Sequence, residues 1–102
     1  MDNIGKYMNI ESGSFNGLSS LEILNLSNNK IEIIKPGTFN GLSSLEILNL
    51  SDNKIEKIEF GLFKDLKKLT SLDLRNNQFS SYSKFFITST FYGLPKTVKI
   101  SY

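Results

Sequence analysis

Neither cysteine nor histidine occurs among the 102 residues. Their absence removes thiol nucleophiles, disulfides, imidazole general bases and nearly every protein zinc site together. Reactions built on carboxylates, lysine or serine alone stay open, but no constellation of such groups stands behind them. Long apolar runs are missing too: nothing approaches the roughly 18–20 residues that span a bilayer as a helix. The opening Met1-Asp2-Asn3-Ile4-Gly5-Lys6 lacks the apolar stretch of a secretory signal. A mature or excised fragment would read the same, so the compartment is not fixed. Charge of one sign is equally scarce. Net charge is +2, and between residues 21 and 44 Glu22 and Glu32 offset Lys30 and Lys35. That balance argues against nucleic acid or an anionic membrane as the main partner. The length allows one domain, 1–102, with modest burial. Its content of Leu, Ile and Phe excludes disorder.

What the chain does have is an internal repeat. Phe15-Asn16-Gly17-Leu18-Ser19-Ser20-Leu21-Glu22-Ile23-Leu24-Asn25-Leu26-Ser27 recurs letter for letter from Phe39 to Ser51, an offset of 24. A third, diverged copy starts at Leu69. Each copy reads L-x-x-L-x-L-x-x-N: Leu21, Leu24, Leu26, Asn29, then Leu45, Leu48, Leu50, Asn53, then Leu69, Leu72, Leu74, Asn77. The first two continue through Ile31, Ile34, Gly37, Phe39, Leu42 and through Ile55, Ile58, Gly61, Phe63, Leu66.

Leu24-Asn25-Leu26 alternates apolar and polar, as a strand with one buried face must. Asn28-Asn29-Lys30 and Gly37 mark turns. Phe39 and Leu42, three apart, suit a helical or 3₁₀ turn returning along the outer side. Each copy is therefore one coil with about seven apolar residues pointing inward. At roughly 1.5–3 kcal/mol each they cannot offset the ordering of a whole coil at ~1.5 kcal/mol per residue. A coil is stable only when neighbours cover its two open faces, which lays the strands side by side as a parallel sheet.

These residues resemble the leucine-rich-repeat family. The 24-residue period with G-x-F-x-x-L is similar to that of extracellular receptors of the Toll, Slit and small-proteoglycan kind. The resemblance covers nearly the whole chain. It implies an α/β solenoid, a horseshoe segment with a short parallel β-sheet on the concave face and turns, 3₁₀ or short helices on the convex side. It also implies a protein partner and an extracellular or cell-surface setting. No cofactor or metal and no enzymatic activity are expected. The organisation expected is a truncated repeat at 1–20, regular repeats at 21–44 and 45–68, an irregular repeat at 69–96 and a last strand at 97–102.

Asn29, Asn53 and Asn77 are expected to stack as a structural ladder at the bend, because an amide can satisfy backbone groups of its own coil and the next. A ligand would meet the outward positions of the concave sheet. Those are Glu22, Ile23 and Asn25 in the first copy, Glu46, Ile47 and Asn49 in the second, and Asp73 and Arg75 in the third. Duplicated columns encode little specificity, so discrimination is expected toward Asp73 and Arg75. Ile23 and Ile47 are either β-favouring filler or a hydrophobic contact flanked by Glu22 and Glu46.

The ends are irregular. Counting back from the first full repeat lands on Tyr7, Ile10, Gly13, Phe15 and Leu18, so the sequence starts in mid-repeat. Ile23–Leu26 should then be an open sheet edge that either pairs with a second copy or continues into further sequence in the native protein, with Met1, Ile4 and Met8 left as cover. At the other end Phe91-Tyr92-Gly93-Leu94 restores the F-x-x-L step after four extra residues. Tyr82, Phe85, Phe86 and Ile87 there read as a cap or as an apolar contact to a partner.

Other motifs carry less. Ser19-x-x-Glu22 and Ser43-x-x-Glu46 match a helix capping box, yet a strand pattern follows. Gly13-x-x-x-Gly17 and Gly37-x-x-x-Gly41 have polar surroundings and are turn glycines. Glu56 and Glu59, interleaved with Lys54 and Lys57, read as surface charge. Lys64, Lys67 and Lys68 read as a solvated outer face in preference to a phosphate contact. Asn25-Leu26-Ser27 and Asn49-Leu50-Ser51 are glycosylation sequons inside a run that the fold demands. The function expected is a recognition module. The alternative is a self-associating or engineered solenoid without an outside ligand.

Overall fold

Short alternating segments become short strands. A computed structural model describes residues 13–79 and 91–102 and the backbone of residues 8–10. The strands are β1 (Met8–Ile10), β2 (Ile23–Asn25), β3 (Ile31–Ile34), β4 (Ile47–Asn49), β5 (Ser71–Asp73) and β6 (Lys99–Ser101). β2, β4, β5 and β6 lie side by side, in that order, as a four-stranded parallel sheet. The register puts Leu24, Leu48, Leu72 and Ile100 in one inward row. The rows on either side are Ile23, Ile47, Ser71, Lys99 and Asn25, Asn49, Asp73, Ser101.

After each strand the chain bends. Asn28, Asp52 and Asn76, one per coil, take φ of 58°, 57° and 58°. This left-handed region is one that Asn and Asp enter at lower cost than other side chains with a Cβ. The return path is a series of single turns. Asn40 N–H donates to Gly37 C=O at 3.1 Å, Leu42 to Phe39 at 3.4 Å and Leu45 to Leu42 at 3.2 Å. Gly37 and Gly41, at φ of 83° and 88°, stop any turn from propagating. No helix occurs among the described residues, so of the forms expected for the convex side the chain takes turns.

A second, two-stranded parallel sheet pairs β1 with β3, Ile10 opposite Ile34 and Met8 opposite Ile31. Sequence reading gave that side only a turn and a descending segment. Ile31-Glu32-Ile33-Ile34 has the β-branched character of a strand, and Ile31 and Ile34 turn into the core while Glu32 and Ile33 face out. The seam continues as single bonds, Lys54 N–H to Ile31 C=O at 2.8 Å and Gln78 N–H to Ile55 C=O at 2.9 Å. With β1 placed on β3, β2 has one sheet neighbour, β4, among the described residues. Ile23–Asn25 is therefore the end strand of its sheet among the described residues. Met1, Ile4 and Tyr7 lie outside the described residues, as does the side chain of Met8.

The core is a leucine and isoleucine stack with an aromatic spine. Phe15, Phe39, Phe63 and Phe91 stack ring on ring, with centroids 6.1, 5.8 and 6.2 Å apart. Phe91 follows Phe63 by 28 residues, yet it takes the next place in the spine, and Lys99 takes its place opposite Ser71. Coil register still holds at Gln78, which bonds to Ile55. The four extra residues therefore fall between Phe79 and Phe91. Tyr82, Phe85, Phe86 and Ile87, read as a cap or contact, lie outside the described residues.

Candidate functional site

The asparagine column fixes where the sheet face ends. Asn53 is buried, and its Oδ1 accepts from the N–H of Asn29 at 2.9 Å and of Ile31 at 3.0 Å, both one coil back. Its Nδ2 lies within bonding distance of the carbonyls of Leu26 and Leu50 at 3.0 Å and of Ser51 at 3.1 Å. One side chain thus joins two coils. Asn77 repeats the pattern, accepting from Ile55 N–H at 3.0 Å and donating to Leu50 and Leu74 at 3.0 Å, but it is only half-buried. Asn29 donates to Ser27 C=O at 3.1 Å.

Beside the ladder, the outward residues of the sheet form columns. Ile23 and Ile47 are opposite one another and are 59% and 39% exposed. Glu22 and Glu46 precede them, with the N–H groups of Glu46 and Ile47 both donating to Glu22 C=O, at 2.8 and 3.0 Å. Neither glutamate makes an ion pair among the described residues. The next column is partly committed to its own backbone. Asn25 Oδ1 accepts from the N–H of Ser27 at 3.0 Å and from its Oγ at 2.7 Å. Asn49 Oδ1 accepts from Ser51 N–H at 2.9 Å. Asp73 Oδ1 does the same for Arg75 N–H at 3.0 Å. An acceptor of this kind two residues back tightens the exit from each strand. Sequence reading placed Asn25 and Asn49 on the ligand side and missed this second duty.

Asp73 and Arg75 engage each other. Arg75 Nε meets Asp73 Oδ1 at 3.0 Å and Nη2 meets Oδ2 at 2.8 Å, a forked pair. The Arg75 side-chain bonds hold the Asp73 carboxyl below the usual carboxylate range, aided by the Arg75 N–H and charge and opposed by partial burial. A carboxyl depressed on folding adds stability above its unfolded value, and that stability is lost as pH falls through its folded value. The pair is solvent-exposed, so the effect on stability is small. Arg75→Gln should move the Asp73 titration up toward the ordinary aspartate range. Carboxyl carbon shifts followed by NMR give the midpoint directly, and an unmoved midpoint would rule out Arg75 as the cause.

The sheet face is therefore sorted by availability. At the β2–β4 end Ile23 and Ile47 stand exposed, and Glu22 and Glu46 make no ion pair among the described residues. Asp73 and Arg75 neutralise each other further along, and Lys99 stands exposed on β6. On the outer side the rings of Phe60 and Tyr92 stack at 5.5 Å, interplanar angle 19°, while 70% and 60% exposed. Sequence reading passed over this pair. The available signal was that Phe60 occupies the place of Pro36 one coil earlier, where the repeat demands nothing apolar.

The leucine rich repeat family model matches three overlapping stretches, residues 6–55, 34–79 and 45–101. The chain belongs to the leucine-rich-repeat family. Among solved structures this leucine-rich-repeat chain is similar to TLR13 as seen in the crystal structure of a TLR13–ssRNA13 complex, at 29% identity and a TM-score of 0.75. The likeness covers 91% of this chain and 13% of that one, so the repeats here span a small part of the neighbour's length. No curated protein sequence is matched.

Proposed function

We propose that this leucine-rich-repeat chain recognises another protein through its concave sheet, as a binding module and not as an enzyme. The residues assigned to the contact are Glu22, Ile23, Asn25, Glu46, Ile47, Asn49, Asp73 and Arg75. The observation that carries the reading is the pair Ile23 and Ile47, adjacent, water-exposed and bordered by two carboxylates that make no ion pair among the described residues. Apolar side chains gathered on an otherwise polar sheet face suit a contact that excludes water. The 24-residue period and the likeness to TLR13 support an origin in a receptor-type protein of the cell surface or extracellular space.

The double substitution Ile23→Ser with Ile47→Ser should leave the melting curve within a few degrees of the parent, since both side chains already face water. Partners captured from cell-surface extracts by the immobilised parent chain should be lost or weakened at least about tenfold on the double variant, a hot-spot-sized effect. Undiminished capture would move the contact off this face.

A second reading has its own observation. β2 is the end strand of its sheet among the described residues, and an unpaired strand side is a template for another strand. Two copies pairing edge to edge would be two-fold and self-limiting. On this reading sedimentation should show a concentration-dependent dimer, and Asn25→Lys should dissociate it without melting the later coils. A monomer with slow amide exchange across Ile23–Leu26 would exclude it.

A further inference from the structure

Residues 15–32 and 39–56 differ only at Asn28 against Asp52, and the chain departs more widely from that duplication from Lys57 onward. On the outer side the repeat itself needs Gly61, Phe63 and Leu66, which match Gly37, Phe39 and Leu42. The remaining changes mix charges of both signs with apolar residues: Lys57, Glu59, Leu62 and Asp65 replace Ile33, Lys35, Thr38 and Gly41. Phe60 stands where the coil before has Pro36, and Lys64, Lys67 and Lys68 stand where it has Asn40, Ser43 and Ser44. None of the four is required by the fold.

The structure brings Phe60, Lys64 and Lys67 against the next coil, and Lys68 follows Lys67 in the chain. Phe60 stacks on Tyr92 of that coil. Lys67 Nζ donates to the C=O of Gly93, the residue after Tyr92, at 3.3 Å. The two coils touch closely here: a Cβ on Gly93 would stand 2.9 Å from the Cα of Lys64. Lys64, Lys67, Lys68 and Lys96 make no ion pair among the described residues, whereas Glu59 is 3.9 Å from Lys57. Lys64, Lys67, Lys68 and Lys96 outnumber the neighbouring acids Glu59 and Asp65.

We propose that this outer patch binds single-stranded nucleic acid, with bases stacking on the exposed Phe60–Tyr92 pair and Lys64, Lys67 and Lys68 meeting the phosphates. Aromatic side chains are common in protein interfaces, but lysine is depleted there. Exposed rings bordered by lysines match what a single strand offers, a π-face on every base and a charge on every linkage. A duplex keeps its bases stacked on one another and cannot lend them to the rings.

The test is fluorescence anisotropy of the full chain with a labelled uridine-rich single-stranded RNA, a duplex of equal length, and poly-glutamate as competitor. The single strand should bind at low salt, and the duplex about tenfold more weakly. Phe60→Leu and Tyr92→Leu keep apolar bulk and should each weaken binding about tenfold, with the salt slope unchanged. Lys64→Gln, Lys67→Gln and Lys68→Gln together should lower the slope of log K against log salt by about 2. Ile23→Ser with Ile47→Ser should change nothing, which separates this site from the concave face. Absence of binding at low salt overturns the proposal. So does equal binding of duplex and single strand. Displacement by poly-glutamate with both ring variants unaffected would also overturn it, and would assign the patch to an acidic protein segment.

Discussion

Asn53→Ala should lower the stability of the chain by about 3 kcal/mol, near the top of the range for stranding buried polar groups. The change removes a side chain that serves five backbone groups, the N–H of Asn29 and Ile31 and the carbonyls of Leu26, Leu50 and Ser51. Alanine offers nothing in return, and the site is buried from water. For a domain of this size each kcal/mol moves the melting midpoint by roughly 4–8 °C. A fall of more than ~10 °C in circular dichroism melts is therefore expected. Asn77→Ala, at a half-buried position, should cost less, about 1–2 kcal/mol. Equal losses at the two positions would mean that burial does not grade the ladder.

Phe39→Ala should cost more, about 3–5 kcal/mol, the usual range for emptying a buried phenylalanine site. Phe39 is 1% exposed and has Phe15 on one side and Phe63 on the other. Its removal opens a cavity and strips one stacked partner from each neighbour, at roughly 0.5–1.5 kcal/mol per ring pair beyond burial. Because each coil rests only on its neighbours, the defect separates the first coil from the rest. Denaturant melts should then broaden and lose two-state form. Phe60→Ala is the matched control: the same residue type, exposed and with one stacked partner, should cost no more than about 1.5 kcal/mol. If both variants behave alike, the spine is not the centre of the fold.

The parts legible in the sequence are those where one physical requirement acts alone. Alternation at Leu24-Asn25-Leu26 meant a strand with one buried face, and β2, β4 and β5 follow it. An amide recurring at the bend meant a ladder, and the bonds of Asn53 and Asn77 are that ladder. The parts that escaped are those where two requirements share a residue. Asn25, Asn49 and Asp73 face outward, as alternation demands, and also hold the backbone two residues on. Nothing in a period of two reveals the second task. β3 escaped for a related reason: Ile31 and Ile34 are three apart, a spacing that suits a turn, and only a neighbouring segment shows that Ile31–Ile34 is extended. Phe60 and Tyr92 belong to different coils, so their meeting is a property of stacking and is absent from either segment alone.

Beyond Phe91 the spine and the sheet both resume in step, although the sequence between the third and fourth stacked rings is four residues longer than a regular repeat. Register in this molecule is therefore kept by stacking between neighbouring coils and not by counting residues along the chain. A comparison of sequences that enforced a strict 24-residue period would lose the last coil, whereas one anchored on the rings and the inward row would keep it.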